Sequence, residues 1–153
     1  MGVNHYHNNQ WEYPVTREHM VHLRWDDEPR DPRWVPFHHL LAAAYARYHR
    51  PIFVAETSHV GVGRARWITE MAAEVAQARA IGVPVAGICL YPILDRPDWN
   101  DAAHWHNSGL WDLIPDAQGR LQRVLVEDYA AAFDEARRHL GDPHGAAAVA
   151  SGG

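Results

Sequence analysis

Glu56 is a residue that could do chemistry, because its carboxylate follows directly on the apolar run of residues 52–55. A carboxylate in that position can attack an electrophilic carbon, or it can cap a helix or form a salt bridge. The chain also carries 7 Trp and 12 His, several of them crowded into segments that contain Asn, Asp and Gly. Function is therefore expected at the end of this apolar run and in those segments.

These groups need a scaffold, and three apolar segments predict its strands. Residues 2–6, 51–57 and 83–93 have the composition of β-strands, and each precedes a stretch with helical periodicity. Such alternation predicts parallel strands in an α/β fold. The unbroken apolar run before Glu56 indicates a strand that is covered on both faces.

Three apolar stripes predict the helices, and Pro36 suits the first position of the first one. The stripes are Phe37, Leu40, Leu41, Ala44, Tyr45 and Tyr48; Ile68, Met71, Ala72, Val75 and Ala78; and Leu121, Val124, Leu125, Ala132, Phe133, Ala136 and Leu140. Gly82 and Pro84 end the second helix. The small residues of the last segment predict a disordered tail over 141–153.

Two predicted loops are long, residues 8–35 and 94–119, and long structured loops are commonly functional. The dense Trp, His and Asp clusters lie on these loops or at the strand ends that lead into them. In parallel sheets the carboxyl-terminal edge binds ligands. The sequence therefore predicts one active face.

Composition excludes several classes of function. The chain is 47% hydrophobic and 22% charged, with a formal charge of −5, so it lacks the clustered basic residues of a nucleic-acid-binding protein. It has no apolar stretch of about 20 residues and no signal-peptide pattern at its start, and we expect a soluble, cytoplasmic protein. Its single cysteine, Cys89, lies in an apolar run and is expected to be buried.

Three motifs resemble the family 1 β-glucosidases and the retaining-glycosidase clan A around them. Gly2-Val3-Asn4-His5-Tyr6 is similar to the G-x-N-Y-Y sixth strand, and Ile52-Phe53-Val54-Ala55-Glu56 to the seventh strand, which delivers the nucleophile. Residues 85–91, followed by Asp95-Arg96-Pro97-Asp98-Trp99, resemble the eighth strand and its loop. The resemblance implies that residues 1–140 are the last three βα units of a (β/α)₈ barrel.

The chain also departs from the family pattern. It reads Glu56-Thr57-Ser58 where the family has Glu-Asn-Gly, and Tyr91-Pro92 where the family has a Trp-rich segment. A whole barrel needs about 250 residues, whereas this chain has 153. The family's acid/base Glu lies on the fourth strand, so a fragment from an outlying branch that lacks the acid/base is expected, with the missing strands preceding Met1.

The resemblance implies roles for individual residues. Retaining hydrolysis of a β-linked sugar uses two carboxyls about 5 to 5.5 Å apart, and Glu56 would be the nucleophile, with Tyr6 orienting it and Arg64 or Arg66 adding positive potential. No cofactor or metal is implied. The expected carbohydrate-binding residues are Asn4, Gln10, Trp11, Arg96, Asp98, Trp99, Trp105 and His106, with Asn9 and Trp111 as further candidates.

Two other interpretations stay open. His5 and His7 are alternate residues at a strand end, as are His104 and His106 on the last loop, and such pairs could bind a metal ion in an amidohydrolase-like barrel. A non-catalytic half-barrel that binds carbohydrate is the second. In that arrangement the first and third strands would be open edges that favour self-association.

Overall fold

The computed structural model describes residues 1–13 and 19–141. In chain order the elements are β1 (Gly2–Asn4), β2 (Trp11–Glu12), β3 (Val21–His22), α1 (Phe37–Tyr48), β4 (Ile52–Thr57), a 3₁₀ turn (Gly61–Gly63), α2 (Arg64–Ala80), β5 (Val85–Leu90), β6 (Trp111–Pro115), β7 (Leu121–Leu125) and α3 (Glu127–Leu140). None of the helices in these two ranges is long and apolar enough to cross a membrane.

The centre of the fold is a parallel sheet in the order β1-β4-β5. Gly2 pairs with Phe53 on one side of β4, and Ile52 pairs with Val85 on the other. This confirms the prediction of parallel strands alternating with helices. β4, which ends in the Glu56 segment, is the middle strand.

Helices cover one face of this sheet. The strand order follows the chain order, so right-handed crossovers place α1 and α2 on the same side. Ile52 and Val54 are fully buried in the core there, whereas Phe53 is 41% exposed. The expectation that β4 is covered on both faces is therefore wrong for the described residues, and so is the expectation that Cys89 is buried, because it is exposed on β5.

The second apolar stripe is confirmed in full, since all five of its residues are buried along α2. The first is narrower than predicted. Phe37 and Leu41 are buried on α1, but Leu40 and Tyr48 are exposed, and Pro36 precedes the helix as its N-cap.

The third stripe is wrong in its first half. Leu121–Leu125 is strand β7, paired with β6 in an antiparallel hairpin. Asp116 closes the turn, because its Oδ1 accepts from the backbone N–H groups of Gln118 and Arg120, both at 2.9 Å, and Gly119 has a φ of +77°. Helix α3 starts at Glu127.

The long connections also contain structure. β2 and β3 form a short antiparallel ladder in which Trp11 pairs with His22.

Helix α3 ends at Leu140, and its C-cap residue Gly141 has a φ of +76°. The rest of the predicted tail, residues 142–153, lies outside the described residues.

Candidate active site

Glu56 and Tyr6 meet where β4 and β1 end. Asn4 is the register partner of Glu56, and the backbone N–H of His5 donates to the Glu56 carbonyl at 3.0 Å. The Tyr6 hydroxyl donates to Glu56 Oε2 at 2.7 Å. Burial is the main cause that raises the pKa of Tyr6 above its usual value, and the hydrogen bond and charge of Glu56 add to it. The phenol therefore stays protonated and serves as the donor.

A tight turn after β1 holds Tyr6 in place. The backbone N–H of Tyr6 donates to Asn9 Oδ1 at 2.6 Å, and the Asn9 N–H donates back to the Tyr6 carbonyl at 3.0 Å. The preceding residue, His5, is buried on the side of the helices, where its ring stacks on that of Phe37 with the ring centroids 4.1 Å apart. Because neighbouring side chains alternate, this burial directs Tyr6 away from the helices.

The residue after the carboxylate is anchored to α2. Thr57 is fully buried, and its Oγ1 accepts from Trp67 Nε1 at 2.8 Å. The pairing register of β4 shifts between Val54 and Thr57, so these two residues, three apart, are both buried. Thr57 therefore fixes the end of the strand that carries Glu56.

The loop after β5 brings a guanidinium close to this pair. Arg96 lies over the ring of Trp99, with its Cζ 4.7 Å from the ring centroid, and its Nη1 donates to the Pro97 carbonyl at 2.9 Å. Its positive charge acts on Tyr6 and lowers the pKa of the phenol, opposing the burial that raises it. Arg96 is thus a charged group that influences Tyr6 electrostatically.

Parts of solved β-glucosidase structures have a similar fold. The family 1 β-glucosidase from Thermotoga maritima matches with a TM-score of 0.67 and 15% identity over 92% of this chain and 34% of that chain, and its complex with methoxycarbonyl-substituted glucoimidazole matches with 0.66 and 14% over 92% and 35%. A β-glycosidase from the hyperthermophile Thermosphaera aggregans matches with 0.55 and 24% over 69% and 22%.

This chain has the fold of one part of a β-glucosidase barrel. It spans about a third of the Thermotoga maritima chains. No protein-family profile and no curated protein sequence matches it. At these identities the similarity establishes the fold alone.

Within this β-glucosidase-type fold, the last loop holds Asp98 and His106 together. His106 Nε2 lies 3.0 Å from Asp98 Oδ2, and Asp98 Oδ1 accepts from the Asn100 N–H at 2.7 Å. That backbone hydrogen bond is the main cause that lowers the pKa of Asp98. Both carboxylate oxygens are thus occupied inside the loop. Trp105 forms an isolated antiparallel β-bridge with Pro97, and the Trp99 side chain is 79% exposed.

The other expected binding residues have different contacts. Gln10 hydrogen-bonds to the backbone just before α1: its Nε2 donates to the Val35 carbonyl at 2.7 Å, and its Oε1 accepts from the Val35 N–H at 2.8 Å. Trp11 is exposed and packs edge-on against Tyr13. Asn4 is exposed at the end of β1, beside Glu56. Neither Gln10 nor Trp11 has a contact that ties it to the Glu56 pair.

The expected role of Arg64 and Arg66 is wrong. Arg64 is buried and donates to Asp112 Oδ1 at 2.7 Å and to the Gly109 carbonyl at 2.8 Å, so its charge is neutralised at the base of the last loop. Arg66 pairs with Glu28 and lies over Trp25. Both guanidinium groups sit at the start of α2 with other partners.

The first histidine pair of the metal interpretation lies among aromatic rings, with His5 buried and His7 partly buried. His5 stacks on Phe37 and Trp67, and His7 lies against His59 at 4.0 Å between ring centroids. Burial lowers the pKa of His5 and of His7 to about 4. Over residues 1–13 and 19–141, no group of three or more His, Cys, Asp and Glu side chains could hold a metal ion.

Sequence reasoning missed two residues of this region. Tyr91 follows β5, where its N–H donates to the Thr57 carbonyl at 3.2 Å, and repulsion between the phenolate forms of the two tyrosines adds to the raised pKa of Tyr6. Asp95 is buried and accepts from the Ser108 N–H at 3.0 Å, which closes the base of the loop. Both residues belong to the motifs that resemble the eighth strand and its loop, and a polar residue directly after an apolar strand was the available signal.

Proposed function

We propose that Glu56 is the nucleophile of a retaining β-glycosidase site and that Tyr6 positions it. The observation that carries this proposal is the 2.7 Å hydrogen bond from the Tyr6 hydroxyl to Glu56 Oε2 at the ends of two adjacent parallel strands. Ligands bind at that edge in parallel α/β folds. The bond leaves the other carboxylate oxygen of Glu56 for attack on an anomeric carbon.

The chemistry requires an ionised carboxylate with a fixed direction. A phenol with a raised pKa donates its proton and does not take one from Glu56, so it stabilises the charged form. Retaining hydrolysis also needs a second carboxyl, about 5 to 5.5 Å from the first, to protonate the leaving oxygen. The family resemblance assigns that acid/base to the fourth strand. This chain would be strands six to eight, a fragment that supplies the nucleophile without the acid/base.

Two further observations support a sugar ligand. The solved structures with a similar fold are a β-glycosidase and β-glucosidases. The loop after β5 carries an indole that is 79% exposed and a guanidinium stacked on it. A flat apolar surface next to directed hydrogen-bond donors is suited to a sugar ring.

A substrate with an activated leaving group tests Glu56 without the acid/base. In a 2,4-dinitrophenyl 2-deoxy-2-fluoro-β-glucoside, Glu56 would form the bond to the anomeric carbon, and dinitrophenolate would leave with the electron pair and without a proton. The fluorine slows hydrolysis of the glycosyl-enzyme, so the expected result is a covalent 2-fluoroglucosyl group on Glu56, located by peptide mass spectrometry.

Three variants make this experiment specific. Glu56→Gln should abolish labelling, and Tyr6→Phe should slow it by about 10- to 100-fold, since a hydrogen bond to a charged group contributes roughly 1.5 to 3 kcal/mol. Glu127→Gln, an exposed change on α3, is the control and should label normally. Labelling of a different carboxylate would refute the assignment. Saturable sugar binding without any labelling would favour the non-catalytic binding module.

A further inference from the structure

We propose that copies of this chain join edge to edge, with strand β1 of one copy adding in parallel to strand β5 of the next. The inference is independent of the role of Glu56, because it rests on the two flanks of the sheet. In the order β1-β4-β5, β1 and β5 are the outer strands. Over residues 1–13 and 19–141, no strand pairs with the outer side of either one.

Neither outer strand carries the residues that keep sheet edges apart. β1 reads Gly-Val-Asn and β5 reads Val-Ala-Gly-Ile-Cys-Leu, so neither contains a charged residue or a proline. Proteins commonly place charged side chains or proline on an exposed edge to prevent pairing with another chain. At the amino end of β5, Arg79 donates to the carbonyls of Val85 and Ala86 at 2.8 and 3.2 Å. The stretch that is open to a neighbouring strand therefore begins at Gly87.

A groove between β5 and helix α3 accompanies this open edge. Its volume is about 280 Å³, and most of its lining is apolar, with Ile88 from β5 and Phe133 and Leu140 from α3. These three side chains are only partly buried where they pack against the core. An apolar side chain from an added strand would fill the groove and complete their burial.

The opposite flank of the same chain presents apolar side chains. Val3 lies on the helix side of β1 and is only partly buried against the core. On α1, the helix that follows β1, Leu40 and Tyr48 are exposed although both belong to the apolar stripe of that helix. When β1 adds to β5, Val3 lies on the side of the groove and α1 lies beside α3, because right-handed crossovers keep all helices on one face. The two flanks are thus complementary, which makes a second copy the occupant.

The register of the sheet predicts which residues meet across this contact. Asn4 is the partner of Glu56, and the next residue of β4, Thr57, is the partner of Leu90. Asn4 and Cys89 therefore lie at the same height on the two outer edges. Strand pairing at that height places Asn4 of one copy beside Cys89 of the next.

Both of these side chains lie on the sheet face without helices. Asn4 and Cys89 are exposed. Cys89 alternates with Gly87, where a Cβ would lie 3.6 Å from the ring of Phe53, the exposed residue of that face. Asn4 alternates in the same way with Val3, which lies on the helix side. A pair of cysteines at these two positions would therefore point to the same side.

This contact joins two different surfaces, so it does not end at a dimer. Each added copy has a free β5 edge, and growth continues until the rotation between copies closes a ring. In sedimentation equilibrium the weight-average mass should therefore exceed twice the 17.4 kDa of one copy. Leu40→Gln should lower this mass towards that of one copy, whereas Val124→Gln, an exposed apolar position on β7, should leave it unchanged.

Disulfide formation tests the strand contact directly, because Cys89 is the single cysteine of the chain. Asn4→Cys would be oxidised with diamide, and its disulfides would be mapped by peptide mass spectrometry. Neighbouring strands are about 4.8 Å apart, which is within reach of a disulfide. Within one copy β4 lies between the two positions and separates them by about 10 Å, which is too far. A disulfide between position 4 and Cys89 is therefore intermolecular.

Asn4→Cys should cross-link to Cys89 at least about tenfold faster than Val62→Cys does, because a pair held in contact reacts at a millimolar effective concentration. Val62 is 99% exposed and reports random collisions. A monomer at all concentrations would overturn the inference. So would a dimer that does not grow and whose disulfides join Cys89 to Cys89 or position 4 to position 4, since both indicate a symmetric contact. If Asn4→Cys does not fold, as judged by circular dichroism, the masses of wild type, Leu40→Gln and Val124→Gln decide.

Discussion

Replacing Thr57 by Val should destabilise the protein, because it removes an acceptor from a fully buried indole. Thr57 and Trp67 are both 0% exposed, and the Thr57 Oγ1 accepts from Trp67 Nε1 at 2.8 Å. Valine has almost the same shape as threonine, so the main change is a buried N–H without a partner. Leaving such a donor unsatisfied costs about 1 to 3 kcal/mol.

Urea unfolding followed by tryptophan fluorescence and circular dichroism would measure this cost. A loss of 1 to 3 kcal/mol corresponds to a decrease in Tm of roughly 2 to 12 °C for a chain of this size. Thr57→Ser keeps the hydroxyl and removes a methyl group, which costs about 0.8 kcal/mol for transfer alone. Comparing the two variants separates the hydrogen bond from packing.

Thr69→Val provides the matched control. Thr69 is exposed on α2, and its hydroxyl donates to the Ala65 carbonyl at 3.1 Å. Water can replace that hydrogen bond, so Thr69→Val should change the free energy of unfolding by less than about 0.5 kcal/mol. Equal effects at positions 57 and 69 would refute the reasoning, because burial of the indole would then contribute nothing.

Three other predictions follow from the same structure. The pKa of His5 is lowered to about 4 by burial, so as the pH falls His5 is protonated in the unfolded chain before it is protonated in the folded protein. The free energy of unfolding should therefore be highest above pH 6.5 and should decline by up to about 3 kcal/mol towards pH 4. In urea titrations at a series of pH values, His5→Phe should reduce this decline. Phe53, 41% exposed on the sheet face without helices, should promote self-association, so Phe53→Gln should lower the weight-average mass measured by sedimentation equilibrium. Val62→Gln, at a 99% exposed position, should leave that mass unchanged. Gly109→Ala should disrupt the last loop, because a Cβ there would lie 2.3 Å from the backbone N of Asp95, and the free energy of unfolding should fall by about 1 kcal/mol or more.

Each of these three has a contradicting result. A wild-type stability profile that is flat between pH 6.5 and 4 would contradict the neutral, buried His5. A monomer at all concentrations in sedimentation would contradict the open sheet face. Unchanged stability in Gly109→Ala would mean that the last loop tolerates a side chain at this close approach.

The sequence predicted the core of the fold because the core depends on local patterns. Alternation of apolar runs and helical stripes predicted the parallel sheet, and the buried residues of α2 follow the stripe from Ile68 to Ala78. The hairpin of β6 and β7 was missed, because Leu121, Val124 and Leu125 fit both a helical stripe and a short strand. The Asp116–Gly119 turn decides between them, because the Asp116 carboxylate accepts from the backbone N–H groups of Gln118 and Arg120, which periodicity does not record.

Side-chain partners in the candidate site were harder to predict than its strands. Gln10 has the right residue type for a sugar hydroxyl, but it contacts the backbone of Val35, 25 residues away. Arg64 was expected near Glu56, but Asp112 binds it from a hairpin that the sequence did not reveal. A residue type defines which bonds are possible, and the tertiary structure selects among them.

Glu56, the proposed nucleophile, and Arg96 on the loop after β5 are held by different interactions. Glu56 and Tyr6 are fixed by strand pairing, by the Asn9 turn and by the Thr57–Trp67 hydrogen bond. Arg96 is fixed by hydrogen bonds and a bridge within its own loop. Because these two sets of interactions share no hydrogen bond, a substitution in the loop after β5 can change the loop while the geometry of the Glu56 carboxylate is preserved.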